Sequence, residues 1–311
     1  MINSLKKRFI LFNILVIGSI IIIIALYVFA GSQSNLPAYR YITTLSLVII
    51  MAFIGSWLLS NMAIGPIKAA WQKQLDFTAD ASHELRTPIS VIQTNLELVM
   101  DNPDETVGSQ MKWLKNIEAE NKRMTKLVED LLTLSRAGTD QQFLEVETFM
   151  LDEVILETLT PFEPIASLKN IELKVQVSDK FSFYGDRKRI KQLCVILVDN
   201  ALKYTGDSGT VTISLDHNER EAILTVSDTG CGIEPEHINK IFDRFYRVTK
   251  TRKLHQDGSG LGLAIARWIV QEHGGAIEVI SSPDIGTTFT VHLPHYGSSR
   301  SCKEIRFKRK K

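Results

Sequence analysis

Phe77-Thr78-Ala79-Asp80-Ala81-Ser82-His83-Glu84-Leu85-Arg86-Thr87-Pro88 is the stretch from which the organisation of the chain can be read. Pro66 suits a first helical position, and Leu85, Ile89, Ile92, Leu96 and Val99 recur every three or four residues. One amphipathic helix is therefore predicted from Pro66 to about Met100. A histidine in mid-helix is usually only packed or solvated. Here the carboxylate of Glu84 beside it can hold one imidazole tautomer and leave the far nitrogen a free lone pair. His83 is read as a nucleophile and Glu84 as its candidate base. Pro88 removes a backbone donor, so a bend is expected just past His83.

Outward from this helix, Asp101-Asn102-Pro103 signals a break, and a second helix is predicted from about Thr106 to Leu134. Leu114, Ile117, Met124, Val128 and Leu131 fall in heptad positions, with Asn121 in one further core position. Two helices with narrow apolar seams make an antiparallel hairpin too small to bury itself. Pairing with a second copy into a dimeric four-helix bundle is expected.

Toward the N-terminus, Phe9 to Ala30 and Leu45 to Ile64 are apolar runs, each long enough to span a bilayer as a helix. The first is too long for a signal-peptide core. Lys6, Lys7 and Arg8 before it, with Lys68 and Lys73 after the second, place both ends inside by the charge rule. A multi-pass cell-membrane protein in lipid is expected, with its N-terminus and the remaining domains cytoplasmic and only about Gly31 to Thr44 outside. So small an outer segment leaves no room for a ligand domain, so a membrane-buried signal or a partner membrane protein is the expected stimulus.

The whole chain, 311 residues with 44% apolar and 23% charged, allows two or three compact units and is not of disordered composition. A net charge of +1 gives no nucleic-acid footprint, and no nucleic-acid partner is expected. Cys194, Cys231 and Cys302 lack metal-site or disulfide spacing, which favours a reducing compartment. The basic tail from Ser298 reads as a solvated end, with a lipid-headgroup anchor as the alternative.

Beyond Ala137 to Gln142 the pattern changes. Ile171 to Val177, Thr210 to Leu215, Ala222 to Ser227, Ala276 to Ile280 and Thr287 to Leu293 alternate as strands, while Arg187 to Tyr204 and Leu261 to His273 read as helices on one face. This predicts an α/β sandwich. In the first helix Asn200 and Lys203 share a face, where an amide oxygen can ligate magnesium and an ammonium can meet phosphate; Tyr204 can lie along a nucleotide. Asp228-Thr229-Gly230-Cys231-Gly232-Ile233 follows a strand: the carboxylate can accept from an adenine amino group, and Gly230 and Gly232 let the backbone turn closely beneath it. Gly258-Ser259-Gly260-Leu261-Gly262-Leu263 opens a helix whose first amides suit phosphates. It lacks the lysine and hydroxyl that end a Walker A loop.

Taken in order, these blocks resemble those of the sensor histidine kinases of two-component systems. Phe77 to Pro88 matches the H box of the HisKA class, Gln192 to Thr205 is similar to the N box, Ile241 to Arg247 matches the F box, and the likeness runs to Leu293. The resemblance implies a membrane-bound kinase without a HAMP relay, built from a membrane region at 1–64, a dimerisation and phosphotransfer domain at 65–138, a catalytic domain of the Bergerat-type ATP-binding fold at 139–297, and a tail at 298–311. It implies ATP and Mg2+, with Asn200 as metal ligand, Arg252 as a lid cation, and Gly258, Gly260, Leu261 and Gly262 at the phosphates. It further implies a homodimer that phosphorylates His83, passes the group to an aspartate of a response regulator, and uses Thr87 to orient water in dephosphorylating that regulator. Ile196 departs from the family pattern, which often has asparagine there. A catalytically inactive scaffold with the same fold is the alternative; a chaperone or DNA-topology ATPase would lack the H box.

Overall fold

The structure, a computed structural model, describes residues 18–23, 39–136, 144–177, 180–248 and 258–295, with backbone alone at 39–45, 56, 58–64 and 66. The chain divides into two compact units, Met1–Thr78 and Ala79–Lys311. Helix α1 runs Tyr39–Met100 and continues through Pro88, which does not end it. Helix α2 follows at Val107–Arg136.

Among the described residues no helix is long and apolar enough to cross a membrane, which corrects the expectation of two transmembrane helices. In both apolar runs the described residues are fewer than a span needs. Of the first apolar run only residues 18–23 are described, as helix, and the rest lies outside the described residues. In the second run the described side chains cover 46–55 and Trp57. From Lys68 onward α1 is charged.

In the second unit the end of α1 and all of α2 form the expected antiparallel hairpin. Thr106 caps α2, its Oγ1 accepting from the Ser109 amide at 3.3 Å. The Gln110 amide closes the turn by donating to the carbonyls of Val99 at 3.2 Å and Asn102 at 2.6 Å. Deeper in, Asn116 Nδ2 donates to Asn95 Oδ1 at 3.2 Å, and Asn95 Nδ2 to the Val91 carbonyl at 2.7 Å. In the single chain the heptad positions Val128, 43% exposed, and Asn121 stay open, whereas Leu127 and Leu134, outside the heptad series, are buried. These two leucines belong to the core of the α/β region. The α2 surface therefore serves two neighbours, and a single seam does not describe it.

The α/β region holds β1 (Glu147–Met150), α3 (Leu151–Leu159), a 3-10 turn, α4 (Glu163–Leu168), β2 (Glu172–Val177), β3 (Ser182–Gly185), α5 (Arg187–Tyr204), β4 (Thr210–His217), β5 (Glu221–Asp228), α6 (Pro235–Ile238), α7 (Gly262–Glu272), β6 (Ala276–Ser282) and β7 (Gly286–Pro294). Five strands form a mixed sheet in the order β2-β4-β5-β7-β6, parallel only at β2-β4; β1 and β3 pair antiparallel on their own. Helices α5 and α7 pack on each other and on the sheet. Ile190, Leu193 and Leu197 of α5 are wholly buried, each contributing about 1.5–3 kcal/mol by leaving water.

One polar contact ties α5 to α7, with each partner held in its own helix. Asp186 caps α5, its Oδ1 accepting from the Arg189 amide at 3.1 Å. The Asp186 amide donates to His273 Nε2 at 3.0 Å, so Nδ1 of that ring carries the proton toward the Ile269 carbonyl at 2.8 Å. Burial lowers the pKa of His273, which keeps this neutral tautomer. The N-terminal end of α5 is thereby tied to the C-terminal end of α7.

Candidate functional site

Strand β5 explains where the site begins. Its buried positions alternate through Ala222, Leu224, Val226 and Asp228, so a carboxylate occupies the last core-facing place of an apolar series. Burial pushes the Asp228 carboxyl up, while the amides of Gly230 and Thr287 pull against it; the Gly230 amide donates to Asp228 Oδ1 at 2.8 Å. A buried carboxylate with one oxygen so held can turn the other to a donor on a ligand. A Cβ on Gly230 would collide with the Tyr204 carbonyl and come within 2.7 Å of Asp228 Oδ1, so only glycine lets the chain pass.

The wall opposite is α5, which presents Gln192, Ile196, Asn200 and Lys203 to one cavity of about 270 Å3. Asn200 and Lys203 do share a face, as their spacing requires. Burial raises the pKa of Tyr204 first, with Arg247 lowering it and Cys231 and Asp199 raising it further. The glycine-rich loop at the start of α7 closes the cavity with Gly258, Ser259, Gly260 and Gly262. A Cβ on Gly258 would lie 3.1 Å from Lys203 Nζ and 3.9 Å from Arg247 Nε, so two cations converge on the first glycine of the loop. Leu261 does not line the cavity; it is wholly buried and anchors the loop. Ile196 meets the place a Gly262 Cβ would take, at 3.3 Å, so an apolar contact replaces any polar one at that position.

The third wall comes from the hairpin. Glu84 and Pro88 of α1, with Arg123, Lys126, Leu127 and Asp130 of α2, line the same cavity. Burial pushes the Asp130 carboxyl up to about 6, against the pull of Lys126 and with a smaller push from Glu129. His83 and Thr87 are exposed and do not line the cavity, although Glu84 beside His83 does. Gly232 lines it, Gly230 only supports Asp228, and Arg252 lies outside the described residues. Arg123, Lys126, Asp130 and Arg247 also stand on the walls and were not singled out from the sequence. Arg247, at the end of the quoted F box, was within reach. The α2 residues carry no signal of their own because a heptad seam says nothing of the opposite face.

Buried carboxylate, close-approach glycines, convergent cations and a helix N-terminus together fit a purine nucleotide with a phosphate chain. Residues 185–297 match the family described as histidine kinase-, DNA gyrase B- and HSP90-like ATPase, and residues 73–140 match the His Kinase A phospho-acceptor domain. The chain belongs to the histidine kinases. The kinase is 35% identical over 246 residues to sensor histidine kinase RppB of Synechocystis sp., a match that covers 79% of this chain and 54% of RppB. It therefore spans about half the length of that curated relative. Among solved structures it is similar to Acinetobacter baumannii histidine kinase AdeS, at 29% identity and a TM-score of 0.56 over 68% of this kinase and 98% of that chain. It is also similar to histidine kinase ThkA, solved in complex with response regulator protein TrrA, at 28% identity and a TM-score of 0.60 over 75% of this kinase and 65% of that chain.

Proposed function

We propose that this kinase uses ATP to phosphorylate His83 and passes the phosphoryl group to an aspartate of a response regulator. The observation that carries the reading is one cavity walled by both halves of the chemistry: Glu84, neighbour of His83, on one side, and Asn200, Lys203 and Asp228 on the other. Asp228 receives the adenine amino group. Lys203, Arg247 and the first amides of α7 receive the phosphates. Asn200 would hold Mg2+, which when bound offsets the charge of the phosphate oxygens.

For transfer, the free imidazole nitrogen of His83 forms a bond to the γ-phosphorus as the bond to the bridging β-oxygen breaks and ADP departs. Glu84 takes the proton from the other ring nitrogen or holds it there, so the lone pair stays available. The phosphohistidine then gives its group to a carboxylate oxygen of the regulator, and Thr87 orients the water that later removes it. The ThkA–TrrA complex supports a regulator of this kind.

Pairing of two chains through the hairpin is supported by apolar residues left on its surface. Ile89, Leu96 and Met100 lie on one face of α1, and Val128 and Leu132 on one face of α2, all more than 40% exposed. The test is Asn200→Asp in the full chain. ATP-dependent labelling of His83 is expected to fall at least tenfold while the fold survives; full labelling would overturn the assignment of Asn200.

A further inference from the structure

The nucleotide cavity receives charge from a side that the kinase reading does not require. The hairpin register places it. Asn116 pairs with Asn95, and the helices run antiparallel. Two turns further along α2 stands Arg123, and two turns back along α1 stands Pro88, so Arg123 lies at the level of the segment from His83 to Pro88. Lys126 follows almost one turn on, and both cations line the cavity together with Lys203 and Gly258. Glu120 Oε2, buried and without a hydrogen-bond partner, stands 3.8 Å from Arg123 Nη1, and that attraction holds the guanidinium from behind.

We propose that Arg123 and Lys126 are nucleotide-positioning residues that act on the phosphate chain from the hairpin side. The only part of the nucleotide that must approach the level of His83 is its phosphate end, and a phosphate chain entering there meets two cations on the hairpin as well as Lys203 and Arg247 on the catalytic side. A site walled by low-dielectric protein makes each such contact worth more than it is at an open surface. ATP is thereby held by both domains at once, and its phosphate end is drawn toward the helix that bears the acceptor. This rests on the kinase reading above, since it needs a nucleotide in the cavity.

The test separates phosphate contacts from the adenine pocket. Binding of ATP, ADP and adenosine to the full chain is measured by displacement of a fluorescent adenine nucleotide. Arg123→Gln with Lys126→Gln is expected to weaken ATP about tenfold, ADP less, and adenosine not at all, with a shallower dependence of ATP affinity on salt. Arg123→Lys with Lys126→Arg, which keeps both charges, is expected to retain ATP binding. ATP affinity unchanged in the first variant, an equal loss for all three ligands, or a loss in the charge-keeping variant would each overturn the proposal. A parent chain that bound no ATP would instead sink the kinase reading itself.

Discussion

Phe245 packs its backbone against Gly260: its amide donates to the Gly260 carbonyl at 3.0 Å, and both residues are left-handed, with φ of 60° and 71°. The F box and the glycine-rich loop are thus one backbone unit. A Cβ at Gly260 would stand 2.8 Å from the Phe245 carbonyl carbon, with no flexible atom to yield. Gly260→Ala is therefore expected to lower ATP affinity at least tenfold and to cost about 1–3 kcal/mol of stability. Gly258→Ala meets first the flexible end of Lys203 and is expected to be milder. Nucleotide titration and thermal melting of the two variants check the order; equal effects would contradict it.

Asp130 gives the cavity a pH dependence. Its carboxyl titrates at about 6 in the folded chain against an ordinary 3.8, chiefly because of burial. The folded state therefore holds this proton more tightly, and the contribution of Asp130 to stability is best below pH 4 and declines as pH rises to 6. Asp130→Asn removes that decline. It is expected to stabilise the chain at pH 8 by about 1 kcal/mol, the full shift being discounted for partial solvent screening. The gain should shrink toward pH 4. Denaturant melts at both pH values decide, and a gain independent of pH would contradict the assignment.

The hairpin hides a polar pair beside its apolar seams. Asn95 is 6% exposed and depends on Asn116 for a donor to its Oδ1. Asn116→Leu alone leaves that oxygen buried and unpaired, and is expected to cost about 1–3 kcal/mol. Replacing both asparagines by leucine is expected to recover most of the loss. Chemical denaturation of the single and double variants measures the coupling, and strict additivity would argue against it.

Much of this could be read from the residues. Helix α5 was legible at Arg187 to Tyr204 because its apolar period is strong and Asp186 supplies a cap. Five strands were legible because Val211, Ile213 and Leu215, or Leu224 and Val226, alternate cleanly. What was hidden depended on neighbours distant in sequence. Leu127 and Leu134 are buried by the α/β region, which no heptad pattern in α2 announces. Strands β1 and β3 are four residues each and, among the described residues, pair only with each other, too short for a period to show. The hairpin wall of the cavity, with Arg123 and Asp130, exists only once two domains meet. The two apolar runs, read as membrane spans by length and composition, are not matched by any sufficiently long and apolar helix among the described residues.

His83 is expected to receive the γ-phosphoryl of ATP bound between α5 and the glycine-rich loop. The most direct measurement is incubation of the full chain with γ-labelled ATP and magnesium, followed by acid and base treatment of the labelled protein. Acid-labile, base-stable label is expected on the parent chain and none on His83→Gln, with nucleotide binding intact in both. Label that persisted in His83→Gln, or label stable to acid, would contradict it.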